Sequence, residues 1–272
     1  MKMKKIISSL AIITVLLAGC AKNQITGRSQ LKLLPEKELQ AMATQQYQQF
    51  LAESKVVSVS VNKDAEMVRR VGTRIANAIT NYLKEQGKPE ILEGYKWEFN
   101  LVDNKEVNAW CMPGGKVVVY TGLLPVTQNE AALAVVMGHE IAHAIALHGN
   151  ERMSQGLAQQ LGGVALSVAV ANKSAETQNL FMNAYGIGTT VGGTLPFSRK
   201  QELEADQFGL RFAAMAGYNP QEAIPFWQRM AQASGGQKPP EILSTHPSDQ
   251  TRITKMQQYV KEAMPYYKPI GK

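Results

Sequence analysis

One helix constrains this chain more than any other feature. From Thr127 to about His148 the sequence is apolar at nearly every position, so a helix there has no solvent face and must be buried. Thr127 and Glu130 have capping-box spacing for its start, and Gly149 stands just past its end. Three polar residues interrupt it: His139, Glu140 and His143, in the order His-Glu-x-x-His. Positions i and i+4 lie about 40° apart around a helix axis, so both imidazoles point to one spot, with Glu140 about 100° from His139. Burying two histidines and a glutamate without partners costs several kcal/mol. A metal ion held by His139 and His143 removes that cost and leaves Glu140 within reach of a water beside it.

A catalytic zinc takes a third protein ligand. The continuation HExxHxxGxxH is broken here, with Ala146 in the glycine position and Gly149 in the histidine position. His148 lies about 140° past His143, which keeps it out of the same site while the helix persists. It reads as a surface residue near the helix end. A second helix, capped by Ser198-x-x-Gln201 and stopped by Gly217, offers a better donor. With Glu202 as origin, Ala205, Gly209, Phe212, Ala213 and Ala216 fall within about 80° of it, and Asp206 within about 40°. Glu204, Gln207 and Arg211 fall on the opposite, wet face. Glu202 is therefore expected on the metal, Asp206 behind a ligand histidine, and Glu204 in solvent. The reverse assignment, Asp206 as ligand and Glu202 behind it, uses the same arc.

The start of the chain reads as an address. Lys2, Lys4 and Lys5 precede an apolar run too short for the ~20 residues of a membrane span, and Leu17-Ala18-Gly19-Cys20 follows. That ending resembles the lipobox of bacterial lipoproteins, which makes residues 1–19 a signal peptide and Cys20 an acylated N-terminus. Ala21, where an aspartate would signal inner-membrane retention, favours the outer membrane. Losing the three lysines takes the formal charge from +7 to +4. With the other basic residues scattered among acids, nucleic-acid binding has no support. Cys111 is left as a lone structural thiol.

Residues 20–34 read as a polar tether and 35–272 as a single domain. Helices are expected at Glu36–Glu53 and Asp64–Gln86, then an alternating strand from Tyr95 to Leu101 and a valine-rich one from Lys116 to Thr121. Between 150 and 195, the apolar piece 161–171 and the Gly/Thr-rich run 186–194 suggest a helix and a mobile loop. Further helices are expected at Pro220–Ala233 and Pro247–Ala263, joined by a linker at 234–240. The fold class is α+β, mostly helical, with a small sheet beside the HExxH helix.

These motifs, with Ser198-Arg199-x-x-Glu202-x-Glu204-Ala205-Asp206, resemble the gluzincin family of the CAAX prenyl protease and HtpX, peptidase family M48. Asn108-Ala109 with Pro113-Gly114-Gly115, Tyr120-Thr121-Gly122-Leu123-Leu124, and Thr245-His246-Pro247 with Arg252 resemble its other motifs. The resemblance implies a zincin-like domain holding one Zn²⁺ and cleaving proteins. The several transmembrane helices of its integral members have no counterpart here. On this reading Glu140 is the general base, and the strand at Asn108 and Ala109 pairs with an extended substrate. His246 either donates to the oxyanion or fills a resting zinc position. Misfolded or unassembled envelope proteins are the expected substrates. The rival reading is a zinc-containing lipoprotein that binds unfolded clients without cleaving them. Oligomeric state is not legible.

Overall fold

The computed structural model describes residues 20–161, 175–185, 187, 197–233, 241–246 and 250–271. The expected signal peptide, nearly all of 161–171 and 186–194, the linker 234–240 and Pro247 lie outside these residues.

In chain order, β1 (Cys20–Lys22) and β2 (Ser29–Leu31) form an antiparallel hairpin. Helices α1 (Glu36–Glu53) and α2 (Lys63–Glu85) follow. Then come strands β3 (Glu98–Val102), β4 (Ala109–Met112) and β5 (Lys116–Tyr120), and a short α3 (Leu124–Thr127). The remainder is helical: α4 (Glu130–Ile145), α5 (His148–Leu161), α6 (Ala175–Ala184), α7 (Arg199–Met215), α8 (Ala223–Ala233), α9 (Glu241–Thr245) and α10 (Gln250–Ala263). Among the described residues no single helix is long and apolar enough to cross a membrane.

The central sheet has the order β3-β5-β4, with β3 parallel and β4 antiparallel to β5. Beside the two strands read from periodicity stands β4, where the family resemblance placed a strand at Asn108 and Ala109. β5 is buried along its whole length, as its Val117-Val118-Val119 run requires of a central strand. Strand alternation divides the sheet between two cores. Ala109, Cys111, Val117 and Val119 pack with α2, α4, α7 and α10, whereas Trp110, Met112, Val118 and Tyr120 pack with α1, α5 and α6. In α2, the Asn62 side chain accepts from the amides of Asp64 and Ala65, and Val68, Val71, Ile75, Ile79 and Leu83 form the buried face.

Several expectations are corrected. Asn129, not Thr127, caps α4: its side chain accepts from the Ala132 amide at 2.8 Å, whereas the Thr127 hydroxyl donates to Leu124 O in the preceding short helix. α4 stops at Ile145 instead of continuing to His148. Leu147 takes a left-handed φ of 56°, and α5 starts afresh at His148. The cause lies in the supposed tether, which is an ordered hairpin. Asn23 donates to Ala146 O at 2.8 Å, and Gln30 donates to Ala146 O and Leu147 O at 3.2 Å each. These side chains satisfy carbonyls that the end of α4 leaves open. The alternating segment enters the sheet later than expected. Tyr95 and Trp97 precede β3 and lie along the Gly114-Gly115 turn, which accepts from the amides of Lys96 and Glu98.

Candidate active site

α4 and α7 cross where each carries a glycine. A Cβ on Gly138 would lie 2.6 Å from Gly209 O, and one on Gly209 would lie 2.7 Å from His139 N. Only glycine permits that approach. It sets His139, Glu140 and His143 of α4 against Glu202 and Asp206 of α7, all buried. His246, on the loop after α9, closes the third side.

The donor atoms converge. His143 Nε2 is 3.0 Å from His139 Nε2 and 3.4 Å from Glu202 Oε1. His246 Nδ1 is 2.9 Å from the same carboxylate oxygen and 3.3 Å from His139 Nε2. One donor atom from each of these four residues lies within 4.8 Å of every other. This set fits zinc. Tetrahedral bonds of ~2.0–2.1 Å separate ligand atoms by about 3.3–3.4 Å, the scale seen here. The chemistry agrees with the distances. His139 Nδ1 lies 2.9 Å from Asp206 Oδ1, so a neutral ring carries its proton there and turns a lone pair on Nε2 toward the other donors.

Neighbours set the charges. Burial opposes ionising Glu202, yet His246 and Arg252 beside it hold its carboxyl well below the ordinary value. Asp206 is likewise lowered against its burial, by Arg252 and His139. Arg252 grips Asp206 with two bonds of 2.8 Å and reaches Glu202 Oε2 at 2.6 Å. Burial drives His143 well below the usual imidazole value, keeping it neutral. Burial also raises the Glu140 carboxyl, opposed by His246 and His139. Glu140 Oε1 has no hydrogen-bond partner among the described residues, and Oε2 stands 3.6 Å from His246 Nε2. Phe197 lies across His143 and His246, with ring centroids 4.0 and 4.8 Å away. A narrow apolar cleft opens beside His139 and Glu140, lined by Val135, Leu210, Phe226, Trp227 and Met256.

Asn108 and Ala109 lie at the start of β4, on the strand at the sheet edge beside α4. Asn108 turns its side chain back to accept from the Ala109 amide at 2.9 Å. Cys20 is exposed at the start of β1, away from Cys111, whose thiol is buried and pushed well above its ordinary pKa.

Two expectations fail at the site. His148 is fully buried, not superficial: the break at Leu147 turns it back so that its Nδ1 meets His143 Nδ1 at 3.0 Å. Glu204 is not in solvent. It accepts from His148 Nε2 at 2.9 Å and from Arg28 Nε at 2.7 Å, and its side chain is only 14% exposed. Sequence reasoning missed Arg28 and Glu151 altogether, since Arg28 comes from the N-terminal hairpin with no motif to mark it.

An HExxH helix crossed by a second helix bearing Glu202 and Asp206 defines a metallopeptidase domain. Residues 62–260 match the model of peptidase family M48, and the chain belongs to that family. Its relatives include the mitochondrial metalloendopeptidase OMA1 of Schizosaccharomyces pombe, 37% identical over 169 residues, 62% of this chain and 48% of that protein. The Bos taurus metalloendopeptidase OMA1 is 32% identical over 249 residues, 88% of this chain and 46% of the relative. The beta-barrel assembly-enhancing protease of Escherichia coli K12 is 32% identical over 161 residues, 58% of this chain and 33% of the relative. The chain thus spans a third to a half of the length of these relatives.

Proposed function

We propose that this protein is a zinc-dependent endopeptidase of the bacterial cell envelope, held at the membrane, in the outer membrane's periplasmic face, through an acylated Cys20. The observation that carries the catalytic part is the convergence of His139, His143, Glu202 and His246 with Glu140 standing beside them.

In this reading His139, His143 and Glu202 hold the zinc, Asp206 orients His139, and His246 is the fourth donor at rest. Zinc, when bound, supplies a Lewis acid that polarises a peptide carbonyl and makes water acidic near neutral pH. Glu140 takes the proton from the attacking water and returns it to the departing amine, for which its unpartnered oxygen and raised pKa suit it. Four protein donors leave no room for substrate, so His246 must withdraw, and its loop position allows that where a helix would not. Once displaced, its imidazole is at hand to donate to the oxyanion. The edge strand at Asn108 and Ala109 pairs with an extended peptide, and the apolar cleft beside Glu140 takes one of its side chains. Strand pairing selects extended segments over particular residues, which points to misfolded or unassembled envelope proteins. The name of the Escherichia coli relative gives this substrate class its support. The non-cleaving alternative finds none, since a structural zinc has no use for a buried carboxyl in the position of Glu140.

The test is Glu140→Gln. About one zinc per chain and no casein cleavage are expected, with wild-type activity abolished by a chelator and restored by zinc. Turnover near wild type in the variant would remove Glu140 from the mechanism.

A further inference from the structure

The two histidines of α4 are held from behind by different devices. His139 faces a carboxylate directly, Asp206, itself gripped by Arg252. His143 faces another imidazole. We infer that His148 and Glu204 form a positioning relay that fixes the tautomer and ring orientation of His143, locked from the N-terminal hairpin by Arg28. The inference rests on the zinc site proposed above.

Hydrogen-bond polarity carries the argument. His143 Nε2 lies among the converging donors, so in a neutral ring the proton sits on Nδ1. Nδ1 meets His148 Nδ1 at 3.0 Å, where two protons or two lone pairs would repel. His148 must therefore accept at Nδ1 and carry its own proton on Nε2. That nitrogen lies 2.9 Å from Glu204 Oε2, an acceptor. The opposite direction fails twice. It sets a His148 lone pair against the carboxylate and leaves the His143 proton pointing at the metal donors. With a metal taking the His143 Nε2 lone pair, a single arrangement satisfies the two outer contacts, with N–H bonds running from His143 to His148 to Glu204.

The carboxylate at the end is itself fixed. Arg28 donates from Nε to Glu204 Oε1 at 2.7 Å and, through both other nitrogens, to Glu151 at 2.6 and 2.7 Å. Gln201 donates to Glu151 at 2.8 Å and also closes the capping box of α7. Arg28, immediately before β2, thus ties the hairpin to α5 through Glu151 and to α7 through Glu204, the carboxylate that ends the relay. The break at Leu147 is what makes the relay possible, because a continuous α4 would carry His148 away from His143.

Two measurements test this. In zinc-loaded protein with ¹⁵N-labelled histidine, long-range ¹H–¹⁵N spectra should show His143 protonated at Nδ1 and His148 at Nε2. A His143 proton on Nε2 in the wild type overturns the relay, whatever the variants do. Second, His148→Leu should weaken zinc binding by about 10–100-fold, measured by chelator competition. His148→Gln, whose amide oxygen can still accept from His143 Nδ1–H, should recover part of that loss, and Glu204→Gln should fall between wild type and His148→Leu. Equal affinities for His148→Leu and wild type, both folded by circular dichroism, would make His148 mere packing. If the leucine variant does not fold, the wild-type spectrum alone decides. Wild-type protein that takes up no zinc would sink the proposed function and the relay with it, whereas zinc uptake with the His143 proton on Nε2 would sink the relay alone.

Discussion

At the residue scale the site separates two carboxylates that lie one helical turn apart. Glu202 offers Oε1 to His143 and His246, whereas Asp206 spends both oxygens on Arg252 and His139. An aspartate so engaged is held by Arg252 on the far side of His139, which supports the proposal of Glu202 as ligand over the reverse assignment. Glu202→Ala should therefore purify with zinc well below one per chain. Asp206→Asn should keep its stoichiometry but bind about 10–100-fold more weakly, because the outer partner of a ligand histidine typically contributes that much. Zinc titration of both variants against a competing chelator checks this. Full zinc occupancy in Glu202→Ala with an empty site in Asp206→Asn would reverse the roles.

At the element scale the helix crossing sets the geometry. Replacing glycine by alanine in a helix interior ordinarily stabilises by about 1 kcal/mol. At Gly209 the added methyl would stand 2.7 Å from His139 N and 2.8 Å from Gly138 C, both backbone atoms that no rotamer change can move. Overpacking of this kind costs about 1–3 kcal/mol, and relief requires the helices to part, pulling Glu202 from His143. Gly209→Ala should lower both the melting temperature and the zinc affinity; a rise in melting temperature would show that the helices do not meet so closely. This crossing was legible in the sequence because it depends on local periodicity. Counting 100° per residue from Glu202 placed Gly209, Ala205 and Asp206 on the packing arc, and all three are buried there. Glu204 and His148 were misjudged by the same arithmetic, for a physical reason. The rule holds only while a helix lasts and only when nothing covers its far face. α4 is ended by Asn23 and Gln30, more than a hundred residues away in sequence, and Glu204 is covered by Arg28. No local pattern encodes such contacts.

On the scale of the whole molecule, the hairpin that covers Glu204 also bears on how the protein would sit at a membrane. A flexible tether would let the domain range freely from its anchor. Instead β1 begins at Cys20 itself, pairs with β2, and is fastened to α4, α5 and α7 by Asn23, Gln30 and Arg28. Acyl chains on Cys20 would hold the folded domain against the bilayer surface, with its cleft at a nearly fixed height. Two or three chains make a stable anchor where one is marginal. Cys20→Ser is therefore expected to leave the membrane fraction, or to remain unprocessed, and to take up no radiolabelled palmitate. Cys20 is exposed and is not one of the clustered donors, so soluble Cys20→Ser protein should bind zinc and cleave casein like detergent-solubilised wild type. Cleavage of envelope proteins embedded in the same membrane should fall, because the loss is of placement and not of chemistry. Equal palmitate labelling of variant and wild type would refute acylation at Cys20. A casein rate that fell along with membrane attachment would instead show that the start of β1 supports the active site directly.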